Sequence, residues 1–173
     1  MDLLSGIKIL AYLTVISQLI VLFLIYLLIT KKSSSSNKIL SFFRKNALLF
    51  AFIVALTATS GSIFFSEILK LVPCKLCWFQ RIFMYPQVII LGISLIRKEK
   101  SIKYVIIPLC IIGALFSIYH YSTQVNYNLT QTSSGTCSAT EPCESTPFLQ
   151  LGYITIPLMA LTAFTFITFL LLI

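Results

Sequence analysis

Cys74 and Cys77 stand two residues apart in the run Pro73-Cys74-Lys75-Leu76-Cys77-Trp78-Phe79-Gln80-Arg81, where a polar turn gives way to an apolar stretch. Sulfur chemistry proceeds through the thiolate, which a helix N-terminus or a neighbouring cation favours. The spacing predicts that Cys77 lies near the first turn of a helix and carries that charge. Gln80 and Arg81, three and four residues further on, share its face. A guanidinium there lowers the cost of ionising Cys77 and can donate to a carbonyl oxygen docked beside it. The CxxC spacing alone leaves a static loop clip or a metal site open. Zinc usually takes four sulfur or imidazole ligands, however, and the chain's one histidine is His120. Dipole, arginine and apolar setting together favour redox chemistry, and no metal centre is expected.

A second pair, Cys137 and Cys143, encloses Ser138-Ala139-Thr140-Glu141-Pro142. The surrounding stretch, Asn126 to Pro147, is rich in Thr, Ser, Asn and Gly and reads as a mobile loop. A disulfide across so short a ring restricts the unfolded chain little. It does offer a bond that a partner's thiolate can reach and exchange with. A structural staple in an oxidising compartment is the alternative. Phe148-Leu149 could rest on a bilayer surface and bring this loop down over the first pair.

The elements that must position these sulfurs are membrane helices. The 173 residues are 58% hydrophobic and only 10% charged, against roughly a quarter charged in soluble domains. Five stretches approach the ~20 apolar residues a span needs. They run from about Ile9 to Thr30, Ala47 to Ser66, Phe79 to Ile96, Tyr104 to Ser122 and Phe148 to Ile173. Backbone groups at membrane depth must be satisfied internally, so the expected fold is all-α. It would be a four-helix transmembrane bundle over residues 47–173, with an additional N-terminal transmembrane helix and linker over 1–46. Asp2 replaces a basic n-region, and no cleavage site is evident, so the first span reads as a retained helix. Lys32 to Lys38 reads as a polar, flexible linker. Pro73 should end the second span by keeping Val72 out of helical geometry, with the chain becoming helical again around Cys77.

The net charge of +8 is not a nucleic-acid footprint, because its distribution is that of a membrane topology. Lys31, Lys32, Lys38, Arg44 and Lys45 lie between the first two spans, and Arg97, Lys98, Lys100 and Lys103 between the third and fourth. The Thr123–Pro147 loop has no basic residue and carries Glu141 and Glu144. Positive charge collects on the cytoplasmic side, so both cysteine pairs are expected to face outwards.

Three further residues invite a role. Cys110, inside the fourth span, reads as a small hydrophobe. His120 could line a cofactor pocket, although beside Tyr119 and Tyr121 an interfacial position is the simpler reading. Glu67 would be costly to bury and could pair with Lys70 or Arg81.

Ser66-Glu67-Ile68, then Pro73-Cys74-Lys75-Leu76-Cys77-Trp78-Phe79-Gln80-Arg81-Ile82 and Met84-Tyr85-Pro86, followed by a later loop pair, resembles the DsbB family of disulfide bond formation proteins. The Trp-Phe-Gln-Arg wording and the short spacing of Cys137 and Cys143 resemble its shorter, BdbC-type members. The family core has four helices, so the first span here is extra. The resemblance implies a quinone-dependent protein-dithiol oxidoreductase of the bacterial cytoplasmic membrane. Its partner would be an extracytoplasmic thioredoxin-fold protein of the DsbA or BdbD kind. Cys137 would form the mixed disulfide with that partner, and Cys74 would exchange with the loop pair. Cys77 would face a membrane quinone (menaquinone or ubiquinone), with Arg81 at a quinone oxygen and Gln80 and His120 in the same pocket. A vitamin K epoxide reductase relative is disfavoured, because there the loop cysteines precede the CxxC. A metal-binding or transport protein and a passive scaffold with permanent disulfides are the remaining alternatives.

Overall fold

The computed structural model describes residues 3–29, 34–99, 101–130, 143 and 149–173. Helix α1 (Leu3–Ile29) is followed by the short α2 (Ser34–Lys45) and then α3 (Ala47–Ile63), which continues through a π turn at Phe64–Ile68. Helices α4 (Lys75–Arg97), α5 (Lys103–Thr130) and α6 (Ile156–Leu172) complete the chain. α1, α3, α4 and α5 are long and apolar enough to cross a membrane, and α6 is a shorter apolar helix. The protein is thus an all-α multi-pass membrane protein, with a four-helix bundle and an additional N-terminal helix.

Boundaries differ from the expected ones where a local signal was misread. α4 begins at Lys75 rather than Cys77, because Cys74 itself caps it. α5 runs two turns beyond Ser122 to Thr130, so Asn126–Thr130 is helical rather than loop. α6 begins at Ile156, after a tight turn in which Gln150 and Ile154 form an isolated bridge. Thr155 and Pro157 stand at its start, where a missing N–H costs nothing. The expected flexible linker is also partly replaced, since its Ser34–Lys38 portion opens α2. That helix is amphipathic: Leu40 is buried, and Phe43 packs on Phe50 at 5.2 Å. Its last turn carries Arg44 and Lys45, favourably placed on the helix dipole. Arg44 Nε donates to the Ile173 carbonyl at 2.6 Å, tying α2 to the end of α6.

In the bundle α3 packs on α4 and α6, α5 packs on the same two helices, and α1 lies mainly against α6. The core between them is built from Leu91, Ile106, Cys110, Phe164 and Ile167, all fully buried. Cys110 donates to Gln87 Oε1 at 3.3 Å and otherwise fills space, as read from sequence. Phe79 stacks on Phe116 at 4.8 Å and joins α4 to α5 near their cysteine ends. Gly113 lies directly beneath the Phe164 ring, which a Cβ would penetrate. The outward faces remain apolar: Tyr12, Leu19, Leu22 and Tyr26 of α1 are more than half exposed, as lipid contact requires.

Candidate functional site

The turn from Leu69 to Cys74 carries the first pair. The π turn ends α3, Lys70 adopts a left-handed φ of 53°, and Pro73 delivers the chain to the cap of α4. Cys74, in extended geometry, accepts the Cys77 backbone N–H at 3.4 Å, so a sulfur does what a serine or aspartate oxygen usually does at an N-cap. The two sulfurs are 3.0 Å apart. Cys74 is buried and Cys77 half-buried.

His120 is the residue whose sequence reading changes most. It is only 1% exposed, not interfacial. Its Nε2 lies 3.7 Å from Cys74 Sγ and 3.1 Å from the Cys143 carbonyl oxygen. Gln80 Nε2 lies 3.2 Å from Nδ1 and donates to it. That bond fixes the tautomer: Nδ1 accepts, so Nε2 carries the hydrogen and presents it to Cys143 O and Cys74 Sγ. Gln80, expected in a cofactor pocket, is buried against the imidazole and also lines the cavity described below.

Cys143 is disulfide-bonded and 1% exposed, and it packs with Cys74 and Leu76 in one small apolar cluster. Cys137 lies outside the described residues. Of the loop expected to come down over the first pair, Cys143 lies beside Cys74, and Phe148 lies outside the described residues.

The electrostatics also differ from expectation. Cys74, just outside the span, has its pKa pulled from 9.0 down to about 4. The hydrogen bond shared with Cys77 contributes most, and the bond from His120 adds to it against the cost of burial. The thiolate character assigned from sequence to Cys77 thus collects on Cys74. The reason is geometric: Cys74 holds the cap position and alone touches His120.

Arg81 is held at the other side of Cys77. Its Nη2 donates to the Ser62 carbonyl at 3.1 Å, and its guanidinium lies 5.5 Å from the Trp78 ring. Tyr85, one turn on, donates to Ser62 Oγ at 3.1 Å and braces this contact. In the sequence Tyr85 stands out only within a motif, and Ser62 only as one of the small residues of the second span that let a neighbouring helix approach closely; neither signals a contact with Arg81. Glu67 is exposed, so its burial cost does not arise. Arg81 Nε is buried with no hydrogen-bond partner among the described residues.

Cys74, Cys77, Arg81 and His120 line one end of a cavity of about 550 Å³. Its walls run between α1 and α3 over Leu10, Leu13, Ser17, Ile53 and Thr57, with Met159 and Ala163 of α6 behind. Fold and site define a polytopic membrane protein in which Cys74 of the CxxC pair and Cys143 of the loop meet at a buried histidine beside an apolar cavity.

The chain belongs to the DsbB family: the model for "Disulfide bond formation protein DsbB" matches residues 44–173. Among curated relatives, "Disulfide bond formation protein C" of Bacillus subtilis is 43% identical over 126 residues, covering 71% of this chain and 90% of the relative. A "Probable disulfide formation protein" of Oceanobacillus iheyensis is 42% identical, covering 71% and 84%. One of Chlamydia caviae is 37% identical, covering 75% and 92%. No solved structure matches. The family implies a disulfide-forming oxidoreductase, which the two adjacent pairs suit.

Proposed function

We propose that this protein is a thiol:quinone oxidoreductase of the bacterial cytoplasmic membrane. It would re-oxidise an extracytoplasmic thioredoxin-fold dithiol protein of the DsbA or BdbD kind. The observation that carries this reading is the junction of Cys74, His120 and Cys143 at the mouth of an apolar cavity ending on Cys77 and Arg81. The basic residues at the opposite ends of the helices support an outward-facing site.

A quinone fits the residues present. The cavity lies within the ~300–1,000 Å³ of ordinary ligand sites, and the buried, unpartnered Arg81 Nε is a donor in want of an oxygen. Arg81, Cys77 and His120 would hold the ring, with Gln80 orienting His120. A bound menaquinone or ubiquinone would supply an acceptor for two electrons and two protons.

The chain's own residues account for the thiol traffic. The partner's thiolate attacks Cys137, breaking the Cys137–Cys143 bond and releasing Cys143 as a thiolate. Cys143, already packed against Cys74, attacks it; the Cys74–Cys77 bond breaks and Cys77 leaves as a thiolate beside Arg81. The partner's second thiolate then takes the partner's disulfide and frees Cys137. Cys137 attacks Cys143, re-forming the loop disulfide and expelling Cys74. A leaving thiol departs faster the lower its pKa, so the stabilised Cys74 anion favours this last step. The balance is one disulfide gained by the partner and one reduced at Cys74–Cys77.

Mixing the full chain with the reduced partner and following quinone absorbance tests the proposal. Wild type should reduce quinone, and Cys77→Ser or Cys137→Ser should stop turnover. Undiminished turnover in either variant rejects it. A metal-binding reading has one observation in its favour, since the ligand atoms of Cys74, Cys77 and His120 all lie within 4.8 Å of one another. Stoichiometric zinc retained by the reduced protein would support that reading instead.

A further inference from the structure

Helix α1 lies outside the part of the chain that the family model covers, yet it forms one wall of the cavity. It crosses α3 only near the cysteine end. There Leu10 rests on Gly61, where a Cβ would come within 3.2 Å of it, and Phe64 rests on Gly6. Further along, α1 leans away onto α6, where Gln18 Nε2 donates to Thr162 Oγ1 at 3.1 Å and Gln18 Oε1 accepts from Tyr153 OH, in the turn before α6, at 3.3 Å. The divergence opens a cleft between α1 and α3. From Leu10 to Ile20 it reaches roughly 15 Å along the helix, at 1.5 Å per residue.

The cleft is apolar even where its sequence is not. The hydroxyls of Thr14, Ser17 and Thr57 each donate to a carbonyl four residues earlier in their own helix. They leave no polar demand along the walls, whereas the unpartnered Arg81 Nε stands at the outer end. Leu13 and Ile16 on α1, and Ile53 on α3, are over 40% exposed at the rim, where lipid would lie. A site polar at one end and hydrocarbon-like along its length matches a polar ring bearing a long apolar tail.

We infer that α1 is the tail-binding wall of the quinone site, so that this additional helix sets the protein's preference for tailed quinones. The inference rests on the quinone reading above and assigns Leu13, Ile16 and Ser17 to the tail. A merely anchoring helix would need no cleft beside it.

Trp78, the chain's one tryptophan, stands against Arg81 and reports binding by fluorescence quenching. The full chain is titrated with a decyl-tailed quinone and with the same ring lacking the tail. Wild type should bind the tailed compound at least tenfold more tightly. Ser17→Phe, which fills the cleft, should abolish that advantage while leaving affinity for the tail-less ring unchanged. Leu13→Ala/Ile16→Ala, which removes contacts without adding bulk, should reduce it several-fold at an unchanged thermal midpoint. Equal affinity of wild type for the two compounds, as when a lipid acyl chain occupies the cleft, overturns the inference. So does an unaltered advantage in both variants. Absence of any quenching by either compound in wild type refutes the quinone reading itself, a separate result.

Discussion

His120 Nε2 lies 3.7 Å from Cys74 Sγ, and the same nitrogen reaches the Cys143 carbonyl at 3.1 Å. One buried imidazole thus touches Cys74 and Cys143 together. It helps to hold the reduced Cys74 as an anion while keeping the loop cysteine within reach.

The pH dependence of Cys74 follows with a definite sign. An acid whose pKa falls from 9.0 to about 4 stays ionised at every pH well above that value. Alkylation of Cys74 in the reduced protein should therefore be nearly flat from pH 9 down to about 6, then fall as pH approaches 4. An ordinary thiol would lose about tenfold per pH unit throughout that range. His120→Ala should move the midpoint upwards by on the order of one unit. It should also make the Cys74–Cys77 disulfide less oxidising by about 30 mV, because the reduced form loses stabilisation. Mass-resolved alkylation across pH and a glutathione redox titration read the two effects.

Gln80 is expected to act only through His120. Gln80→Leu leaves Nδ1 buried and unpaired, a loss of about 1–3 kcal/mol. Each kcal/mol corresponds to about 2–4 °C for a chain of this size, so the thermal midpoint should drop measurably. Gln80→Glu should instead restore a partner, favour a hydrogen on Nδ1 and shift the pH profile of Cys74 alkylation.

Arg81→Lys separates charge from shape. Lysine keeps a cation but loses the planar fork that meets the Ser62 carbonyl and lies near Trp78. The quinone concentration for half-maximal rate should rise about tenfold, with thiol exchange between the partner and Cys137 unchanged. A rate curve identical to wild type would leave Arg81 as a structural anchor.

Gly113→Ala tests the packing that holds α5 on α6. Its Cβ would enter the space of the Phe164 ring, and overpacking of this kind costs about 1–3 kcal/mol. Thermal unfolding in detergent should show a midpoint lowered by several degrees, and an unchanged midpoint would contradict the tight α5–α6 contact.

Much of this was legible in the residues. Apolar run lengths located the membrane helices, Pro73 marked the turn, and the order of spans and loops put Cys143 at the same end as Cys74 and Cys77. What was not legible depends on how helices rotate against each other. His120 and Gln80 are forty residues apart, and only the packing of α4 on α5 through Phe79 and Phe116 brings them together. The anion's location turned on a one-position matter, whether Cys74 or Cys77 caps α4. α2 was hidden because four serines mask an amphipathic pattern that begins only at Ile39.

The account stands on direct exchange between Cys74 and Cys143, and a trapping experiment addresses it. In Cys77→Ser/Cys137→Ser the remaining cysteines are Cys74, Cys143 and the deeply buried Cys110. Mild oxidation followed by peptide mass spectrometry should find a Cys74–Cys143 disulfide in most molecules, formed without partner protein. Free Cys74 and Cys143 after that treatment would contradict the account.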